Sequence, residues 1–235
     1  MIIRAAFCLA FFSLLAASAR SSTGDVDVKD VVRALQARYQ HASTLKAAFF
    51  ERYSDGNGGQ QSESGTVYFS RPGRMRWEYE SPERKLFLVD GKNVWFYVPA
   101  DHTASHAKLK ESSDWRTPIA LLVGKADLSQ LCRKIELASA SSEGDQESPT
   151  PGDTVLRCTP RGESAQEASK QMILLEVDPS DYLSRVIIHE PGNVTTEFHF
   201  GNWEENIPVA ETKFHFQPPP GVSIVDEESL AGEVH

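Results

Sequence analysis

SGTVYFSRPGRMRWEY, residues 64–79, is the stretch that decides the fold. β-Branched and aromatic residues alternate with other types on both sides of the sequence RPG at residues 71–73, which is typical of a tight turn. The stretch therefore predicts two antiparallel strands. In the first strand Val67 and Phe69 point to one face, and the period of two places Arg71 on that same face. This apolar row ends in a positive charge.

The second predicted strand has one aromatic face and one charged face. Met75, Trp77 and Tyr79 share the first face, while Arg74, Arg76, Glu78 and Glu80 share the second. One interpretation is a sheet whose apolar side holds a hydrophobic ligand, with Arg71 at its rim as a donor to a headgroup or to a lid. The other interpretation is an ordinary core whose edge arginine extends its charged end into water.

Composition limits the classes of protein that this chain can be. It has 235 residues, of which 40% are hydrophobic and 24% are charged, which is typical of one globular domain with a sizeable core. The formal net charge of −9 argues against a nucleic-acid partner and against non-specific adhesion to anionic lipid.

The N-terminus predicts export. Arg4 precedes an apolar run over residues 5–17 that is too short to span a bilayer, and residues 17–19 (ASA) form a small-x-small cleavage signature. We therefore expect residues 1–19 to be a signal peptide and residues 20–235 to form a single mature domain. Cys8 lies inside the apolar run rather than after it, so we expect no lipid anchor. In a bacterium with two membranes the mature protein would be periplasmic.

Two cysteines remain after cleavage, Cys132 and Cys158, and each lies in a predicted strand. In an oxidising compartment they could pair across neighbouring strands, or they could be two free buried thiols.

The remaining sequence predicts a large curved sheet or open barrel with few helices. Apolar residues at helical spacing after Asp27 predict a helix to about His41, and residues 44–53, which include Phe49, predict a strand. Residues 85–90 and 93–98 flank the hairpin turn Asp90-Gly91 and are apolar on both faces. Such strands need cover on both sides.

Later segments extend this pattern. Residues 117–124 (TPIALLVG) predict a short apolar helix, residues 139–152 a flexible acidic loop, and residues 217–235 a C-terminal tail. The strands predicted in this part of the chain span residues 131–137, 153–159, 171–178, 183–190, 193–200 and 210–216.

The sequence carries no motif of a known catalytic site. It contains no G-x-S-x-G, H-E-x-x-H, Walker A loop or G-x-G-x-x-G after a strand. His102 and His106 have a suitable spacing for sharing a face, but neither they nor the later histidines have acidic or cysteine partners at ligand spacing. We therefore expect neither an enzyme nor a metal or cofactor site.

Four segments in this order resemble the LolA family of periplasmic lipoprotein carriers: SGTVYFSRPGRMRWEYESP, LFLVDGKNVWFYVP, TPIALLVG with ADLSQL, and FHFQPPPGVSIV. The resemblance runs from about Val28 to Val225. It implies an α+β fold in which a half-closed antiparallel β-barrel, a large curved sheet, holds an apolar cavity under a lid of helices. It also implies that Arg71 bonds to the lid backbone in the closed state.

The resemblance further implies a function and its partners. Family members take acylated lipoproteins from an inner-membrane ABC transporter and deliver them to the outer membrane, where some bacteria have a receptor lipoprotein. We expect a monomer that binds acyl chains through Val67, Phe69, Met75, Trp77, Tyr79, Phe49, Leu88 and Trp95. The alternatives are a periplasmic carrier or sensor of another lipid and, more weakly, a lipid hydrolase.

Overall fold

A single sheet of twelve strands dominates the computed structural model, which describes residues 26–109, 127–138, 149–161 and 171–227. The strand order is β12-β6-β5-β4-β3-β2-β1-β11-β10-β9-β8-β7, so the sheet is open, with β12 at one edge and β7 at the other. Neighbours are antiparallel except β12 and β6, which run parallel. The large, curved and incompletely closed antiparallel sheet predicted from the sequence is confirmed.

The strands are β1 (Thr44–Ser54), β2 (Gln60–Ser70), β3 (Arg74–Ser81), β4 (Lys85–Val89), β5 (Asn93–Val98), β6 (Thr103–Lys108), β7 (Cys132–Leu137), β8 (Thr154–Pro160), β9 (Met172–Val177), β10 (Leu183–Glu190), β11 (Val194–Glu205) and β12 (Ser223–Asp226). Helix α1 spans Val28–His41 and helix α2 spans Leu128–Leu131, and single 3-10 turns occupy Pro99–Asp101 and Glu211–Phe214. No helix among the described residues is long and apolar enough to cross a membrane.

The hairpin of β2 and β3 has the register that its sequence predicts. Val67 lies opposite Trp77 and Phe69 opposite Met75, so directly paired residues share a face and form one apolar surface. Gly65 allows the two strands to approach where the register shifts, because a Cβ atom there would lie 1.9 Å from the carbonyl oxygen of Glu78.

Helix α1 begins where the sequence predicts, since Asp27 caps it by accepting a hydrogen bond from the Lys29 backbone N–H at 2.8 Å. Its apolar stripe faces the sheet, where Leu35 and Tyr39 are fully buried. We call the face of the sheet that packs against α1 the inner face, and the opposite face the outer face.

The two faces carry separate hydrophobic cores, as the doubly apolar strands predict. Phe87, Val89 and Val94 belong to the larger inner core, together with α1. Leu86 and Leu88 alternate with them and belong to a smaller outer core, which Phe214 covers. A segment after β11 therefore crosses the outer face and supplies the cover that these strands require.

The predicted strand over residues 210–216 is wrong. This segment contains a 3-10 turn at Glu211–Phe214 and does not pair with a neighbouring strand. It crosses the outer face instead, where it buries the side chain of Phe214, which is 1% exposed. β6 was not predicted, and β12 lies within the predicted tail 217–235. All four residues of β12 are exposed, and backbone hydrogen bonds hold it to β6, so hydrophobic patterning gave no signal.

Cys132 and Cys158 form a disulfide between the neighbouring strands β7 and β8, with their Cα atoms 5.5 Å apart. Of the two alternatives left open by the sequence, the structure has the paired form. Three predicted segments lie outside the described residues: the signal peptide 1–19, the helix 117–124, and residues 139–148 of the flexible loop.

Candidate functional site

The inner face brings together six of the eight residues predicted to line an apolar site. Phe49, Val67, Phe69, Met75, Trp77 and Tyr79 all belong to the inner core, and none is more than 4% exposed. Phe49 in β1 connects the group, because its ring centroid lies 4.7 Å from that of Trp77 and 5.1 Å from that of Tyr79, both in edge-on contact. The result is a continuous aromatic surface across three central strands.

Leu88 and Trp95 are corrections to this set. The two residues are paired across β4 and β5 on the outer face, where they contact Phe214 and the residues around it. Trp95 stacks on His106 with ring centroids 4.2 Å apart. Alternation within each strand separates them from the inner row, so the expectation that all eight residues line one cavity is wrong.

Arg71 lies in the turn between β2 and β3, at the end of the inner row. Its backbone N–H donates to the carbonyl oxygen of Ser43 at 3.0 Å, which holds the turn against the start of β1. The guanidinium is half-buried, and this burial lowers the pKa of Arg71. The resemblance implies that Arg71 bonds to the backbone of the lid, a contact called the latch below. The helix predicted over residues 117–124, which could form part of that lid, lies outside the described residues, so the latch stays a prediction.

The opposite end of the inner row is polar, which sequence reasoning missed. Glu51 is only 2% exposed and accepts a hydrogen bond from the Tyr79 hydroxyl at 3.2 Å. Lys85 lies over the Tyr79 ring, with Nζ 5.2 Å from the centroid, and forms an ion pair with Glu63. The period of β1 could have revealed this feature, because Glu51 follows Phe49 by two residues on the same face.

Helix α1 covers the inner face and is fixed most firmly near its C-terminal end. The Tyr39 hydroxyl accepts a hydrogen bond from the Leu183 backbone N–H at 2.9 Å, and burial raises the pKa of Tyr39. The Tyr39 ring also meets Trp203 edge-on at 5.6 Å, and Arg38 donates to the Ser180 carbonyl oxygen at 2.8 Å. Towards the N-terminus Val28, Val31 and Val32 are only partly buried.

The outer face has a groove of about 1170 Å³ between β3, β4 and the segment after β11. Much of its lining is charged, with Arg76, Glu78, Glu80, Arg84 and Lys85 among the lining residues. An alkyl chain there would have to displace the water that hydrates these charged side chains, which costs free energy that an apolar ligand cannot return through hydrogen bonds. The groove is therefore a poor site for a purely apolar ligand, whereas the inner face is a suitable one.

A buried ionic cluster stabilises the outer face of β10 and β11. Glu197 forms ion pairs with Arg185 and with Arg52 at 3.3 Å, and it is hydrogen-bonded to His199 at 2.8 Å. Burial alone would raise the pKa of Glu197, but the His199 hydrogen bond and the Arg185 charge outweigh it and lower this pKa to about 2. Glu176, which lies 3.8 Å from Arg185 and accepts from the Thr150 N–H at 2.5 Å, completes the cluster.

Taken together, the described residues offer an apolar surface under a helix rather than a set of reactive groups. Within the described ranges no three or more metal-binding side chains are grouped. His106 and His199 are each engaged by an acidic residue, Asp226 and Glu197 respectively. The inner face, which shares one hydrophobic core with α1, is a surface that suits an apolar ligand.

The chain is similar in sequence to a known protein family over most of its length. A family model described as "Outer membrane lipoprotein carrier protein LolA" matches residues 40–217. An outer-membrane lipoprotein carrier protein from Nitrosospira multiformis is 28% identical over 224 residues, which cover 94% of this chain and 97% of that protein. A protein of the same name from Chromobacterium violaceum is 29% identical over 198 residues, covering 83% of this chain and 86% of its own.

Comparison with solved structures supports the same architecture. The crystal structure of an uncharacterised conserved protein from Thermus thermophilus superposes with a TM-score of 0.51 and 12% sequence identity, covering 85% of this chain and 98% of that one. At this identity the likeness shows the fold alone.

Proposed function

The chain belongs to the family of the outer membrane lipoprotein carrier protein LolA, and we propose that it binds the acyl chains of lipoproteins released from the inner membrane and carries them to the outer membrane. The observation that carries this proposal is the aromatic inner face, which belongs to the same hydrophobic core as α1. Its relatives named outer-membrane lipoprotein carrier protein, which match it over most of its length, support it.

The physical requirement for such a carrier is to shield acyl chains from water. Burial of each CH₂ contributes about 0.8 kcal/mol, so one long chain gains roughly 10 kcal/mol on leaving water. In this structure the inner row is closed, since its six residues are nearly inaccessible. Loading therefore requires α1 or another covering segment to move, and the contacts that are lost offset part of the gain. This offset keeps binding reversible.

The proposal includes a location and a set of partners. The mature domain, residues 20–235, would act in the periplasm as a monomer without catalysing a reaction. It would receive lipoprotein from an inner-membrane ABC transporter and pass it to the outer membrane, directly or through a receptor lipoprotein. Arg71 would latch the cover in the empty state and release it on loading, because it lies at the end of the apolar row.

Photo-crosslinking distinguishes the two faces as the binding site. A synthetic lipopeptide with a diazirine near the end of one acyl chain is bound, irradiated and mapped by peptide mass spectrometry. We expect labels on inner-face residues such as Phe69, Met75 or Phe198. Labels confined to outer-face residues such as Tyr97 or Phe216 would contradict the proposed site.

A further inference from the structure

Trp77 carries a hydrogen-bond donor with no acceptor in the part of the chain that the structure describes. Its side chain is fully buried, and its Nε1 atom makes no hydrogen bond there. Trp203, the tryptophan at the other end of the inner core, instead donates to the Leu183 carbonyl oxygen at 2.9 Å. Buried indole N–H groups normally find a partner, and leaving one unsatisfied destabilises the fold.

Trp77 lies among aromatic side chains, next to the polar end of the inner row. Trp77 and Tyr79 are two residues apart on one face of β3, with their rings stacked at 6.5 Å, and the Tyr79 hydroxyl donates to buried Glu51. Phe49 and Phe198 pack against the indole and exclude water. A ligand that replaced part of this packing would meet one available donor in an apolar site, where a hydrogen bond is strong.

We propose that the Trp77 indole N–H donates to an ester carbonyl oxygen that links an acyl chain to glycerol, and so favours ester-linked diacylglycerol ligands over ligands with alkyl chains alone. This inference rests on the proposed function, since it assumes that acyl chains enter the inner face. An ester carbonyl is the acceptor that lies at the head of such a chain. It occurs both in diacylglyceryl lipopeptides and in diacyl phospholipids.

The test compares two probes that differ only at the proposed acceptor. One is a dipalmitoylglyceryl-cysteine lipopeptide, and the other is its dihexadecyl ether analogue, which lacks both carbonyl groups. The wild-type protein should bind the ester about three- to tenfold more tightly, the range expected for one neutral hydrogen bond. Trp77→Phe should remove this preference, whereas Trp95→Phe, a matched change on the outer face, should retain it.

The quantity compared is the ratio of the ester affinity to the ether affinity, measured separately for each variant. A loss of packing or stability at position 77 lowers both affinities together and leaves this ratio unchanged. As an independent readout, the ¹⁵N-labelled indole resonance of Trp77 should move downfield with the ester and not with the ether. An unchanged ester preference in Trp77→Phe would overturn the inference, and so would the absence of any preference in the wild type.

Other outcomes separate this inference from the proposed function. Binding of both lipopeptides with equal affinity would refute the role of Trp77 and leave the carrier function standing. Failure of the wild type to bind either lipopeptide would refute the carrier function itself. Vesicles of diacyl phosphatidylethanolamine and of its dialkyl analogue provide the second source of the ester. A preference seen with these vesicles alone would assign the donor to phospholipid.

Discussion

Tyr39→Phe removes one oxygen atom from the contact that fixes α1 to the sheet. The hydroxyl accepts the Leu183 N–H at 2.9 Å, and both residues are fully buried, so the substitution leaves a backbone donor without this acceptor and without access to water. Such a group costs about 1–3 kcal/mol. For a domain of this size that range corresponds to a fall in melting temperature of roughly 2–12 °C.

Two measurements check this expectation. Thermal unfolding followed by circular dichroism gives the melting temperature, and amide hydrogen exchange reports the Leu183 N–H directly, which should exchange faster in the variant. Tyr182→Phe is the matched control, because Tyr182 packs against Tyr39 but its hydroxyl, which is hydrogen-bonded to Glu205, is only partly buried, so its removal leaves no fully buried group unpaired. Its cost should stay within about 0.5 kcal/mol. Equal stability and equal Leu183 exchange in Tyr39→Phe and wild type would refute the account of how α1 is held.

Three further predictions concern the latch, the ionic cluster and the disulfide. Arg71→Leu should fold normally but retain bound lipopeptide in a release assay, and normal release would rule out the latch. The pKa of Glu197 is about 2 in the folded state and near 4.5 in the unfolded state, so its contribution to the free energy of unfolding is complete above pH 4.5 and is lost as the pH falls towards 2. Urea unfolding between pH 7 and pH 3 should show this loss of stability, and the pH dependence should be weaker in Glu197→Gln. Reduction of Cys132–Cys158, which are 26 residues apart, should lower the free energy of unfolding by about 3 kcal/mol, and an unchanged urea midpoint with reductant would contradict this.

Periodicity predicted the parts of the fold in which local pattern and packing agree. The helix that ends at His41 and the hairpin around residues 71–73 have the expected bounds, because each presents a regular apolar face to the same core. β6 and β12 were not predicted, because in these strands the local sequence pattern does not reflect the packing. Their side chains carry little apolar pattern, and backbone hydrogen bonds along the sheet edge define them.

The candidate site shows a similar division between local and tertiary information. Alternation within β2 and β3 was sufficient to place Phe69, Met75 and Trp77 on one surface. Alternation could not decide which face of β4 and β5 joins that surface, because both faces of these strands are apolar. The prediction that Leu88 and Trp95 belong to it was wrong, since both lie on the outer face. Only the three-dimensional packing of α1 on one face and of the segment around Phe214 on the other resolves this ambiguity.

The most direct test of the central claim is to identify what the protein carries. The full-length chain is expressed in a two-membrane bacterium, purified from the periplasm without detergent and analysed by intact mass spectrometry. The carrier account predicts a complex of the processed protein with acylated lipoprotein. Free phospholipid or another lipid as the sole bound material, with no lipoprotein acquired when an acylated lipoprotein is supplied, would contradict it.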